Sequence, residues 1–167
     1  AIAGLAEKVG FKGGGGIIMN IHTGEVLALT SYPEYKSSIM VEGSDRETIT
    51  SYLTDSRKPL FNRVLSGLYT PGSIVKPFVA IGALEEGTID PNTKIVSTGF
   101  ISIPNPYDPT RKTTFMDWKA HGPVDMRRAI AVSSNVYFYE VGGGFEDQKG
   151  LGIERLNKYF SMFGFGK

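Results

Sequence analysis

Between Ser73 and Leu84 one side chain alone, Lys76, is ionisable, while Ile74, Val75, Phe78, Val79, Ile81 and Leu84 place apolar groups on nearly every side of the helix this stretch predicts over 73–86. A helix without a polar face belongs in the middle of a core built by other elements. Thr70-Pro71-Gly72 punctuates the chain just before it, and Pro77 falls in its first turn, where a missing N–H does least harm. With 167 residues, of which 41% are hydrophobic, the chain has material for one domain with such a core.

The flanking segments supply candidates for that surrounding structure. Residues 1–9 predict a short helix, and the four glycines Gly13 to Gly16 are expected to interrupt regular structure before an apolar run from Ile17 to Ile21. Val26 to Thr30 is a second β-prone run across the turn His22-Thr23-Gly24-Glu25, so 17–30 predicts a hairpin. From Tyr32 to Pro59 the sequence is polar, with one helix whose start is signalled by the capping box Ser44…Glu47. Pro91, Pro104, Pro106 and Pro109 predict a long excursion over 87–115 with short strands at most. Helices are then expected over 125–132 and from Val136, separated by a break at Ser133-Ser134-Asn135. Ile153, Leu156, Phe160 and Phe163 recur at helical spacing ahead of Gly164.

Charge and composition exclude several functions. Eighteen basic and seventeen acidic residues give a net charge of +1 without a run of one sign, so no nucleic-acid footprint is present. The absence of cysteine excludes disulfides and thiolate metal sites. No apolar stretch reaches the roughly 20 residues that span a bilayer, and no secretion signal opens the chain. The glycine tract lacks the Lys-Ser/Thr ending of a phosphate loop and precedes a strand instead of following one. Asp108, Asp117 and His121 have the chemistry of metal ligands, but three such residues on one loop make a poor zinc site. His121 is read as part of a turn with Gly122-Pro123, and Trp118 as packing the loop down. No metal and no cofactor is expected.

Lys76 lies three residues after Ser73, and residues three apart on a helix are neighbours, so its amine is expected within reach of the Ser73 hydroxyl. Burial disfavours the ammonium form and lowers the lysine pKa, which makes the pair a nucleophile with its base. At a helix start, unpaired N–H groups also favour negative charge on an attacked carbonyl oxygen. The same spacing is compatible with a serine cap and a lysine reaching to solvent. Ser133 and Asn135, in a break between helices, can present short polar groups to a cleft or cap the helix that follows.

Several stretches in order tip this balance: Asn20 to Ala28, Asn62-Arg63, Tyr69-Thr70-Pro71-Gly72-Ser73-Ile74-Val75-Lys76-Pro77, Asp117-Trp118-Lys119, and Ser133-Ser134-Asn135-Val136-Tyr137-Phe138-Tyr139. Together they resemble the transpeptidase domain of class B penicillin-binding proteins, most of all the branch that serves cell elongation. The resemblance implies an α+β fold, an antiparallel sheet with a helical lobe, of which residues 1–167 would be the N-terminal portion. It implies catalytic roles for Ser73, Lys76 and Ser133 and substrate binding by Asn135. The implied substrate is a peptidoglycan stem peptide ending in D-Ala-D-Ala, with β-lactam antibiotics reacting as mimics. Cell-wall elongation proteins are implied partners, and the parent protein is expected to be anchored in the cytoplasmic membrane with this domain on the periplasmic side.

The family's third motif, Lys-Thr/Ser-Gly, does not occur after Asn135, and neither a pedestal domain nor a membrane anchor is seen. The expectation is that these 167 residues alone acylate poorly, because losing one oxyanion donor typically slows such reactions ~10²- to 10³-fold. A serine β-lactamase or D,D-carboxypeptidase shares the first two motifs, although no Glu-x-x-x-Asn pattern follows Asn135. A β-lactam sensor or a non-catalytic binding module of a cell-wall complex also remains compatible with the motifs.

Overall fold

The glycine tract does not interrupt regular structure. In the computed structural model, which describes residues 2–166, Gly14 to Gly16 are the first half of a strand. The chain divides into two compact units, one ending at Thr70 and the other beginning at Pro71.

The first unit opens with helix α1 (Ile2–Val9), followed by strands β1 (Gly14–Met19) and β2 (Val26–Tyr32), which form the expected hairpin. They pair antiparallel, with Gly14 opposite Tyr32 and Ile18 opposite Ala28. The glycines serve close approach: a Cβ on Gly15 would lie 2.8 Å from Val64 Cγ2. Val64 belongs to α4 (Arg63–Ser66), whose first turn is held by Asn62 Oδ1, accepting from the N–H groups of Val64 and Leu65 at 3.1 Å. Two helices, α2 (Ser37–Glu42) and α3 (Arg46–Thr54), occupy the polar region where one was expected. Asp45, not Ser44, caps α3, accepting from Thr48 N at 3.0 Å; a carboxylate there also complements the positive helix end.

The second unit begins with a 3₁₀ turn (Gly72–Val75) that runs into α5 (Lys76–Glu85). The region predicted as a loop excursion contains β3 (Ile95–Ser97), β4 (Phe100–Asn105) and the nine-residue β5 (Asp108–Met116). β4 and β5 form a hairpin and accommodate Pro104 and Pro109, because a two-stranded ladder leaves each strand an edge where a missing N–H is tolerated. β6 (Gly122–Val124) pairs with β3. Helices α6 (Met126–Ala131), α7 (Asn135–Gly143) and α8 (Gly152–Met162) complete the unit, and Asp125 caps α6 through Arg128 N at 2.8 Å.

The core of this unit joins Val79, Ala80 and Ala83 of α5 to Val136, Tyr137 and Val141 of α7, with Ile95, Ile101 and Val124 from the strands. α8 approaches α5 at Gly82, where a Cβ would meet the Tyr159 ring at 2.9 Å. α5 is not buried on every side as its composition suggested. Ile74 of the 3₁₀ turn and Ile81 and Leu84 of α5 are exposed, while Val79, Ala80 and Ala83 are buried in the core shared with α7. Among the described residues no helix is long and apolar enough to cross a membrane.

Candidate active site

The site is assembled from the start of α5, the turn before α7 and the end of β5, all within the second unit. Gly72, at φ +61°, admits the tight 3₁₀ turn that presents Ser73 on the surface. Three residues on, at the first position of α5, Lys76 is only 8% exposed. Ser73, Lys76, Val79, Asn135 and Phe138 share the wall of one cavity of about 500 Å³.

The Lys76 ammonium donates three hydrogen bonds, to Ser133 O at 2.7 Å, Ser133 Oγ at 3.1 Å and Asn135 Oδ1 at 2.6 Å. Its Nζ lies 5.8 Å from the centre of the Phe138 ring. Among the described residues no hydrogen bond joins it to Ser73, contrary to the expectation from helical spacing. Ser73 sits in the 3₁₀ turn ahead of α5, and the acceptors of the Ser133–Asn135 turn take all three ammonium protons. Burial moves the Lys76 pKa down, and the nearby Asp117 carboxylate opposes that shift.

The turn that receives Lys76 is backbone-strained. Ser133 adopts φ +54°, a left-handed conformation that costs a non-glycine residue ~1–2 kcal/mol. Its N–H donates to Ile130 O at 3.1 Å and the next N–H, of Ser134, to Ala129 O at 2.9 Å, which reverses the chain between α6 and α7. Ser134, the middle residue, is the cap of α7, so the capping alternative holds for that residue and not for Ser133. Asn135 uses both ends of its amide, accepting from Lys76 through Oδ1 and donating through Nδ2 to Met116 O at 3.2 Å.

Sequence reasoning gave Asp117 no part in this arrangement. Its Oδ2 accepts from Ser134 Oγ at 2.8 Å, Val136 N at 3.0 Å and Ser97 Oγ at 3.2 Å, and its Oδ1 accepts from Trp118 N at 2.8 Å. These bonds outweigh burial and hold the carboxyl pKa at about 2. His121 lies next to it, Nε2 to Oδ1 at 3.7 Å, whereas Asp108 is at the far end of β5, bonded to Thr110 N at 3.1 Å. The three residues weighed as metal ligands are therefore not brought together. Trp118 does pack against the turn, donating from Nε1 to Val132 O at 3.1 Å. In the sequence Asp117 stood out only as part of the Asp117-Trp118-Lys119 stretch and as a weighed metal ligand. The three partners of its Oδ2 lie 17 to 20 residues away and carry no local pattern.

A serine at the mouth of a cavity, a buried lysine behind it and a Ser-Ser-Asn turn against the lysine are the groups that a serine acyl-transfer site requires. The chain belongs to the penicillin-binding protein transpeptidase family, whose domain model matches residues 14–167. It is 37% identical over 164 residues to the peptidoglycan D,D-transpeptidase MrdA of Haemophilus influenzae, an alignment covering 97% of this chain and 24% of that protein. It superposes on the penicillin-binding protein PBP2 of Helicobacter pylori with a TM-score of 0.80 and 34% identity, covering 99% of this chain and 29% of the other. A complex of that PBP2 with MreC gives the same figures. The chain thus spans about a quarter of the length of the curated relatives it matches, and its α+β architecture is that of the family's transpeptidase domain.

Proposed function

We propose that the chain is the N-terminal portion of the transpeptidase domain of a peptidoglycan D,D-transpeptidase, and that Ser73 is its acylated nucleophile. The observation that carries this reading is the buried Lys76 amine, bonded to Ser133 and Asn135 in the cavity that Ser73 enters. A lysine so placed has no use as a surface charge, and burial favours its neutral form.

In the proposed reaction neutral Lys76 accepts the Ser73 proton as Ser73 Oγ attacks the carbonyl carbon of the penultimate D-alanine of a stem peptide. The peptide C–N bond breaks, and the terminal D-alanine leaves with a proton relayed through the Ser133 hydroxyl, 3.1 Å from Lys76 Nζ. An amine of a neighbouring stem then attacks the ester, forming the cross-link and restoring the Ser73 hydroxyl. Asn135 holds Lys76 and offers the remaining N–H of its amide to the substrate backbone. β-Lactams acylate the same serine as mimics of the dipeptide.

The MrdA relative supports the activity, and the PBP2–MreC complex supports cell-wall elongation proteins as partners. By the family resemblance the parent protein is proposed to be anchored in the cytoplasmic membrane, with this domain on its periplasmic side.

The test is labelling of the full-length protein with a fluorescent penicillin. A stable label that disappears in Ser73→Ala and Lys76→Ala is the expected result. Rapid turnover of the label would indicate a β-lactamase, and an unlabelled wild type would leave a binding role only.

A further inference from the structure

We infer that Asp117 is a positioning residue for acylation: by holding Ser134 and the N-terminus of α7, it turns Ser133 and Asn135 toward Lys76. The inference rests on the function proposed above.

Ser134 is completely buried and directs its hydroxyl to Asp117, while the residues on either side of it, Ser133 and Asn135, bond to Lys76. Ser134 is the residue between them, so anchoring its side chain restrains the backbone on both sides, from which Ser133 and Asn135 reach Lys76. Ser133 needs such external support because its left-handed backbone is intrinsically unfavourable. Asp117 supplies it from three directions: Ser97 ties the carboxylate to β3, the Trp118 N–H to the end of β5, and the Val136 N–H to the first turn of α7.

No lysine or arginine forms an ion pair with Asp117 among the described residues; His121 is the one ionisable neighbour in bonding range. A buried carboxylate held by neutral donors is retained at a desolvation cost, and two of those donors, Ser134 Oγ and Val136 N, hold the turn facing Lys76 and the helix start that follows it. The same negative charge acts on Lys76 from a distance and raises its pKa against the effect of burial. Asp117 therefore has two separable effects, one on geometry and one on the pH at which Lys76 becomes a base.

The experiment measures the acylation rate of the full-length protein by a fluorescent penicillin as a function of pH, in wild type, Asp117→Asn and Ser134→Ala. Asp117→Asn replaces one acceptor oxygen by an NH2 group that must oppose at least one N–H donor, the Trp118 N–H if the amide oxygen keeps the Oδ2 place, and its rate is expected to fall about tenfold or more. With the charge gone, the Lys76 pKa drops further, so the acid limb of the profile moves to lower pH. Ser134→Ala keeps the charge; it is expected to lose a few-fold in rate with the limb unmoved. The same comparison is repeated in a His121→Gln background, because His121 faces the Asp117 carboxylate at 3.7 Å.

A wild type that is not labelled at Ser73 would sink the functional reading itself. With wild type labelled, a folded Asp117→Asn of normal rate overturns the inference, as does one whose rate falls while the limb stays in place, the pattern of a merely structural residue. Should Asp117→Asn fail to melt cooperatively, Ser134→Ala decides: a reduced rate supports the inference and a wild-type rate overturns it.

Discussion

The α5–α7 region and the β1–β2 hairpin are similarly apolar, yet they bury that surface very differently. Ala83, Val136, Tyr137 and Val141 are inaccessible within their own unit, whereas Ile18 and Leu27 of the hairpin are 62% and 60% exposed. Ile17 and Met19 on one hairpin face and Ile18 on the other are all exposed, because α1 and α4 meet the ribbon at its glycine half, Gly14 to Gly16, and leave its apolar half open. The residues that carry chemistry are packed by contacts the second unit makes with itself. A two-stranded ribbon has no such means, because a hairpin buries little apolar area without a third strand or a covering helix.

Substitutions should reproduce that contrast. The largest effect is expected for Tyr137→Ala, which empties a fully enclosed site and should destabilise the second unit by ~3–5 kcal/mol in denaturant titration. A loss under ~1 kcal/mol would show that the core is far looser than its burial implies. Gly15→Ala comes next. Its Cβ would sit 2.8 Å from Val64 Cγ2, so forcing β1 from α4 should cost ~1–3 kcal/mol. At Ser133, relief of the φ +54° backbone should make Ser133→Gly ~1 kcal/mol more stable than Ser133→Ala, although both lose the hydroxyl. Smallest is Ile18→Ser, expected within ~0.5 kcal/mol because its side chain is already in solvent. An effect as large as that of Tyr137→Ala would erase the contrast.

A pH-dependent test separates the regions again. Burial, reinforced by the neighbouring Glu146, raises the Glu140 pKa from 4.5 to about 7. A carboxyl whose folded pKa exceeds its unfolded value binds more protons when folded, so its stabilising contribution is complete below pH 4.5 and is lost as pH rises through about 7. The melting temperature of the second unit should therefore fall across that window, and Glu140→Gln should flatten the fall. A Glu140→Gln protein with an unchanged slope would contradict the assignment.

How legible each region was follows from the range of its interactions. The isolation of Lys76 in an apolar stretch, the helix expected over 125–132 and the hairpin turn are local patterns, and each has its counterpart in the structure. Gly14 to Gly16 misled because glycine's weak strand propensity was overridden by the need for α4 to approach β1. β4 and β5 misled because Pro104 and Pro109 fall where a two-stranded ladder tolerates them. The outer side of α5 misled because composition shows that a residue is apolar and not what covers it. Asp117 was out of reach for the most general reason, since its role exists only after β3, β5 and α7 have met.

The central claim concerns one oxygen atom, Ser73 Oγ. Peptide mass mapping of the full-length protein after incubation with a penicillin addresses it directly. The account predicts a long-lived adduct, of the mass of the intact drug, on the peptide containing Ser73. An adduct on any other residue, or none under conditions where the protein is folded, would contradict it.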